Sequence, residues 1–169
     1  VFGKYQKQLE SITEVDNLSL LDEIEVWSFI AFNFAMSREK INSMLKEWKA
    51  SNDIIKNTQQ CVEAVNNIKQ GQLDKWAMYQ TGEDLLIKAN HIANLYGFAQ
   101  NESELISKYE SLTIKDKKEM AINGGDLIKS GVVKPGPEMG KILFKLEKSL
   151  VCNQIENDKE SLLKAAKNF

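Results

Sequence analysis

The stretch Lys134-Pro135-Gly136-Pro137-Glu138-Met139-Gly140-Lys141 has the residue types and order of an anion-binding turn. Glycine lets a backbone approach a ligand closely, Pro137 suits the first turn of a helix, and the free N–H groups of that turn carry partial positive charge. The helix that follows sharpens the pattern. At about 100° per residue, Met139, Ile142, Leu143, Leu146 and Leu150 fall on one side. Lys141, Lys145 and Lys148 fall within about 60° of one another on the opposite side. With Lys129 and Lys134 alongside, the set Lys129, Lys134, Gly136, Gly140, Lys141, Lys145 and Lys148 is a candidate track for an RNA backbone. The same residues also fit a plainer description, a tight interhelical turn followed by a solvated face. Spacing alone leaves both open.

No other chemistry is complete. His91 has no Asp, Cys or second His near it in sequence, and reads as a surface or satisfied core histidine. Cys61 and Cys152 form no CxxC pair and read as small buried hydrophobes with reduced thiols, as in a cytoplasmic protein. A zinc site from Cys and His would need about four such ligands, so no metal site is expected. Trp27, Trp48 and Trp76 are chemically able to stack on bases, but each sits in an apolar helical pattern and is expected in the core. With no Ser–His–Asp set, Walker loop, HExxH or EF-hand loop, no catalytic residue is assigned.

The elements that must carry the turn are helical. Hydrophobic residues are 43% of the 169 and charged residues 27%, a balance that suits a folded chain rather than a disordered one. Helical spacing and caps recur, and no stretch alternates convincingly as a strand. Short Lys4–Ile12 is one candidate helix. Ser19 to Met36 is apolar almost all round and is expected at the centre of a bundle. Ser37 caps a helix with Ile41, Met44, Leu45 and Trp48 inward, Ser51 and Asp53 open one ended by Gly71, and Thr81 caps one stopped at Gly97. Asn101 with Glu104 opens another. Both prolines and five of the nine glycines then fall between Gly124 and Gly140, which marks specified turns. A short helix around Asp126 to Ser130, a turn, a helix from about Pro137 to Cys152 and a last helix from Asn157 or Asp158 to Lys167 complete the chain.

The fold class is therefore all-α, a helical body over 18–112 and a smaller helical tail over 113–169. The longest apolar run, Val26 to Met36, is broken by Ser28 and Asn33 and falls short of the roughly 20 residues of a membrane span, so no membrane partner is expected. Net charge is −2, which excludes a strongly basic nucleic-acid binder, yet charge is uneven. Glu10 to Glu25 holds six acids and no base, while Leu127 to Leu150 holds five lysines against two acids. Arg38 is the single arginine, so positive charge rests on lysine.

The late residues resemble a known family. Ile122-Asn123-Gly124-Gly125-Asp126-Leu127-Ile128, Gly131, Pro135-Gly136-Pro137 with Met139-Gly140 and Leu143, and Asn157-Asp158-Lys159-Glu160 with Leu162-Leu163 and Ala165 look like the C-terminal end of bacterial tRNA nucleotidyltransferases. These are the CCA-adding enzymes and the related poly(A) polymerases. Glu25-Val26-Trp27 and Leu45–Trp48–Lys49 look similar to the body of the same enzymes, with less specificity. The turn itself is also similar to that of helix-hairpin-helix modules, which grip nucleic-acid backbones.

The resemblance implies an all-helical body and tail that hold tRNA while a head in the same parent polypeptide adds CCA to its 3′ end. It implies Mg2+ with CTP and ATP as cofactors of that head, held by an Asp-x-Asp pair. No Asp-x-Asp occurs in these residues, and the nucleotide-selecting neck motif is absent too. The chain, which starts Val-Phe-Gly-Lys without Met, is expected to be a C-terminal fragment, inactive alone, whose residues 1–17 are left from a neck or linker. No cofactor is expected on it, and a homo-oligomer stays open. Two rivals remain: a helical protein-interaction module that never meets RNA, and a helix-hairpin-helix-like DNA binder.

Overall fold

The structure, a computed structural model, describes residues 22–169. The expected helix Lys4–Ile12, the residues Leu20 and Leu21 and the neck remnant 1–17 lie outside the described residues. Nine α-helices and no strand occur among the described residues. They fall into two compact units, the first ending at Ser107 and the second spanning Lys108–Phe169.

In the first unit, α1 (Glu23–Asn33) opens on a reciprocal cap. The Glu25 N–H donates to Asp22 Oδ1 at 2.9 Å, and the Asp22 N–H donates to Glu25 Oε2 at 2.8 Å. Ser37 caps α2 (Arg38–Glu47) by accepting from the Lys40 N–H, and Ser51 caps α3 (Asn52–Gln70) by accepting from the Ile54 N–H. Asp74 caps α4 (Lys75–Thr81) through the Ala77 N–H at 2.8 Å. Thr81 does not cap the next helix, as its position suggested. It ends α4, its hydroxyl donates back to the Ala77 carbonyl at 2.7 Å, and Gly82 at φ 78° turns the chain into α5 (Glu83–Leu95) with no side-chain cap. Helix α6 (Glu102–Glu110) starts in this unit, where the Glu104 N–H donates to Asn101 Oδ1 at 3.1 Å, and its last residues, from Lys108, belong to the second.

The centre of this unit is α3, not α1. One side of α3 packs Cys61, Ala64, Val65 and Ile68 with Phe29 of α1 and Leu85, Ala89 and Ile92 of α5. The other side packs Ile55 and Val62 with Ala31, Ile41 and Leu45. At 19 residues, α3 runs about 28 Å, long enough for several helices to lie against it. Its small buried Cys61 and Ala64 let them approach. The bulkier α1 leaves Val26 exposed. Trp48 also departs from expectation: it is 70% exposed. It stands beyond the last turn of α2, followed by Lys49 at φ 58°, so the helical spacing that placed it inward no longer applies there.

The second unit contains a 3₁₀ turn (Lys117–Glu119), α7 (Gly124–Lys129), α8 (Pro137–Val151) and α9 (Lys159–Ala166). Asn123 caps α7 reciprocally with Asp126, and Asp158 caps α9. Asn157 ties the 3₁₀ segment down, accepting from the Ala121 N–H at 2.8 Å and donating to the Glu119 carbonyl at 2.9 Å. Ile142, Leu146, Leu150 and Val151 of α8 are buried, as are Ile114, Ile122, Leu127 and Leu162. The inward face of α8 therefore follows the sequence spacing, with Met139 and Leu143 half-buried beside it. No described helix is long and apolar enough to cross a membrane.

Candidate nucleic-acid interface

All seven residues singled out for backbone binding are exposed: Lys129 at the end of α7, Lys134 and Gly136 in the turn, and Gly140, Lys141, Lys145 and Lys148 along α8. Pro137 takes the first position of α8 and no side chain caps that end. Pro137 has no N–H and the Met139 N–H donates to the Gly136 carbonyl at 3.2 Å, so the Glu138 amide is the one that this terminus presents, where the dipole of a 15-residue helix favours an anion.

The glycines of the turn region separate into two kinds. A Cβ on Gly124 would meet the Met139 sulfur at 2.8 Å, so that glycine lets α7 pack on α8. Gly131 takes φ 72°. Gly136 and Gly140 have neither duty. A Cβ on either would meet nothing within 4 Å. Gly140 sits inside the helix, where glycine costs about 1 kcal/mol relative to alanine. A helix that keeps an exposed glycine without packing need leaves its backbone open to close approach.

The lysine stripe is exposed but engaged. Lys141 Nζ pairs with Glu138 Oε1 at 2.8 Å, and this hydrogen bond holds the Glu138 carboxyl below its ordinary range and the Lys141 amine above its own. Lys145 Nζ donates to the Phe169 carbonyl at 3.2 Å and lies 5.4 Å from the centre of that ring. A ligand on this face would trade these contacts for its own. Between exposed partners such exchanges cost little.

The structure brings together charges that sequence spacing left apart. His91 Nδ1 lies 2.8 Å from Glu25 Oε1 and its Nε2 lies 3.3 Å from Glu102 Oε2. Both ring nitrogens are thereby occupied by carboxylates, and no nucleophile adjoins them. Lys88 bridges Asp22 at 3.0 Å and Asp84 at 2.7 Å. Its hydrogen bond to Asp84, assisted by Asp22, raises the Lys88 amine above its ordinary range. The acidic run ending at Glu25 was the one sequence signal for this cluster; its bases come from α5. Burial pushes the Cys61 thiol up to about 12, which removes it as a nucleophile. Cys152 is only half-buried, less than expected, because it follows the last turn of α8. Among the described residues no three His, Cys, Asp or Glu side chains gather to hold a metal.

Residues 18–166 match the family model described as tRNA nucleotidyltransferase domain 2. The whole chain is 41% identical to the CCA-adding enzyme of Ligilactobacillus salivarius and covers 42% of that protein. Over 94% of its length it is 39% identical to the CCA-adding enzyme of Limosilactobacillus reuteri, covering 39% of it. Its fold matches the Bacillus stearothermophilus CCA-adding enzyme, solved in complex with CTP, with a TM-score of 0.84 at 20% identity over 98% of this chain and 42% of that one. The chain thus spans about two fifths of the length of these relatives.

Proposed function

From the premise that this chain belongs to the tRNA nucleotidyltransferase family, as the part described as domain 2, we propose that it is the C-terminal, tRNA-holding part of a CCA-adding enzyme. The first unit serves as the body and the second as the tail. Together they position tRNA for 3′-end CCA addition by a catalytic head of the same parent polypeptide. Mg2+ with CTP and ATP belongs to that head, where carboxylate-held metal clamps the transferring phosphoryl group.

The observation that carries the reading is the pairing of Gly136 and Gly140, beside which a Cβ would meet nothing within 4 Å, with exposed lysines at a helix start that no side chain caps. Phosphate oxygens fit such a place, because backbone N–H groups and lysines both favour them and neither reads sequence. Lys141, Lys145 and Lys148 are the track, with Lys129 and Lys134 alongside.

Filter binding of tRNA across a salt series tests this. If about three phosphates are neutralised, log K against log salt should fall with a slope near −2 to −3. Changing Lys141, Lys145 and Lys148 together to Gln should flatten the slope with helix content unchanged. The same change at Lys46, Lys56 and Lys69 of the first unit should leave it as it was. Equal loss from both triples, or from neither, overturns the assignment.

A further inference from the structure

The single arginine of the chain stands at a cleft of the first unit that the backbone track does not use. This cleft, about 820 Å³, opens between α3, α4 and the start of α2. Arg38 is the first residue of α2, and its guanidinium pairs through Nη2 with Glu63 of α3. The Gln59 amide holds the Arg38 carbonyl at 2.9 Å, which fixes the base of the side chain. Gln60 donates to the Gln80 carbonyl at 3.1 Å, joining α3 to α4 across the cleft. Trp76 lines the cleft and is stacked on Tyr79, with 5.4 Å between ring centres and 25° between planes.

The lining selects a class of ligand. Besides the amide of Gln60 it offers those of Asn67, Gln72 and Gln80, each carrying a donor and an acceptor. Arg38 spends one donor on Glu63, and a guanidinium has five in a planar fork. An indole supplies the flat wall. Against Arg38 stand the carboxylates of Glu63 and Asp74, so the cleft has no surplus of positive charge and does not suit a phosphate. Its apolar lining is limited to Leu73, Ala77 and the indole, too little for the hydrophobic face of a partner helix. What remains is a flat, uncharged heterocycle with donors and acceptors on its edge.

We propose that this cleft receives one unpaired base of the bound RNA, stacked on Trp76 and read at its edge by Arg38 and the surrounding amides. The inference rests on the tRNA-holding role above but concerns a different unit and a different physical term. The track supplies salt-dependent phosphate contact. The cleft supplies stacking and hydrogen bonds, which release few counterions.

Two variants of the full chain test it: Trp76→Leu, and the double change Arg38→Gln with Glu63→Gln, which keeps net charge. Trp76→Leu should weaken tRNA binding about 5- to 150-fold, the size of one lost stacked base, and the double change, which leaves the indole and removes edge contacts, about 10-fold, while the salt slope of both stays that of the parent. A second readout uses guanosine 5′-monophosphate, with ribose 5-phosphate as the baseless control, and follows the Trp76 indole N–H by NMR. The nucleotide should shift that signal in the parent and not in the double variant, and the control should shift neither. If Trp76→Leu fails to fold, the double variant and the NMR titration decide alone. Parent-like tRNA binding by the variants overturns the proposal, as does an equal shift from ribose 5-phosphate. Should either occur while the tail lysine change still flattens the slope, the cleft is refuted and the tRNA-holding role stands. Should the parent not bind tRNA at all, that role fails and the cleft proposal, which rests on it, fails with it.

Discussion

Gly140→Ala sets two consequences of the structure against each other. The position lies inside α8 and a Cβ there meets nothing within 4 Å, so alanine fits without strain or contact. Relative to glycine it should stabilise the helix by about 1 kcal/mol, through the smaller conformational entropy lost on folding. For a chain of this length that corresponds to a rise in Tm of about 2–4 °C, read by circular dichroism at 222 nm. The same methyl group stands where an RNA backbone would come closest to the helix start. Holding the phosphate away should cost one hydrogen bond to a charged group, about 1.5–3 kcal/mol, or roughly 10- to 100-fold in tRNA affinity. Stability and affinity should therefore move in opposite directions. A variant that melts higher and binds tRNA as the parent does would show that Gly140 has no ligand to admit. One that melts lower would show that the space above it is not open.

Three further outcomes follow from the packing and the charges. Leu146→Ala removes a fully buried side chain from the inner face of α8 and should destabilise the protein by about 2–5 kcal/mol in a urea titration. Cys152, half-buried, should react with a thiol reagent in the native protein, while Cys61, fully buried and with its thiol pushed up to about 12, should react only on unfolding. Asp126, held below its ordinary range by the Lys159 hydrogen bond and by the cap at Asn123, stabilises the folded state above the unfolded carboxyl pKa, near 3.9, and that stability is lost as pH falls through its lower folded value. The Tm of Asp126→Asn should accordingly decline less than that of the parent from pH 6 to pH 3, and parallel declines would contradict this.

What the sequence made legible was local. Ser37, Ser51 and Asp158 each cap a helix as their positions suggested, because a cap joins residues two or three apart. Thr81 failed because its hydroxyl has a second local partner, the carbonyl four residues back, and Gly82 supplies the break by backbone geometry instead. Trp48 failed because periodicity extends a helix that has already ended. Hydropathy favoured α1 over α3 at the centre because it counts apolar bulk and not neighbours, whereas centrality depends on how many helices can reach a given surface.

The candidate sites divide along the same line. The turn and the stripe lie within one short segment, so residue order displays them, and even the Lys141–Glu138 pair is only three residues apart. The Lys145 contact with Phe169 spans 24 residues, Arg38 to Glu63 spans 25 and Gln60 to Gln80 spans 20, so each waits on the packing of separate helices. Glycine shows why packing is also needed where order seems sufficient. Sequence gives Gly124, Gly136 and Gly140 the same letter. The Met139 sulfur occupies the space beside the first, and nothing occupies the space beside the other two. A glycine filled against by its own chain is explained by folding; a glycine facing open space inside a helix weakens that helix for no internal return. The physical case for a ligand at the start of α8 rests on that difference, which lies in the surroundings of the residue rather than in its identity.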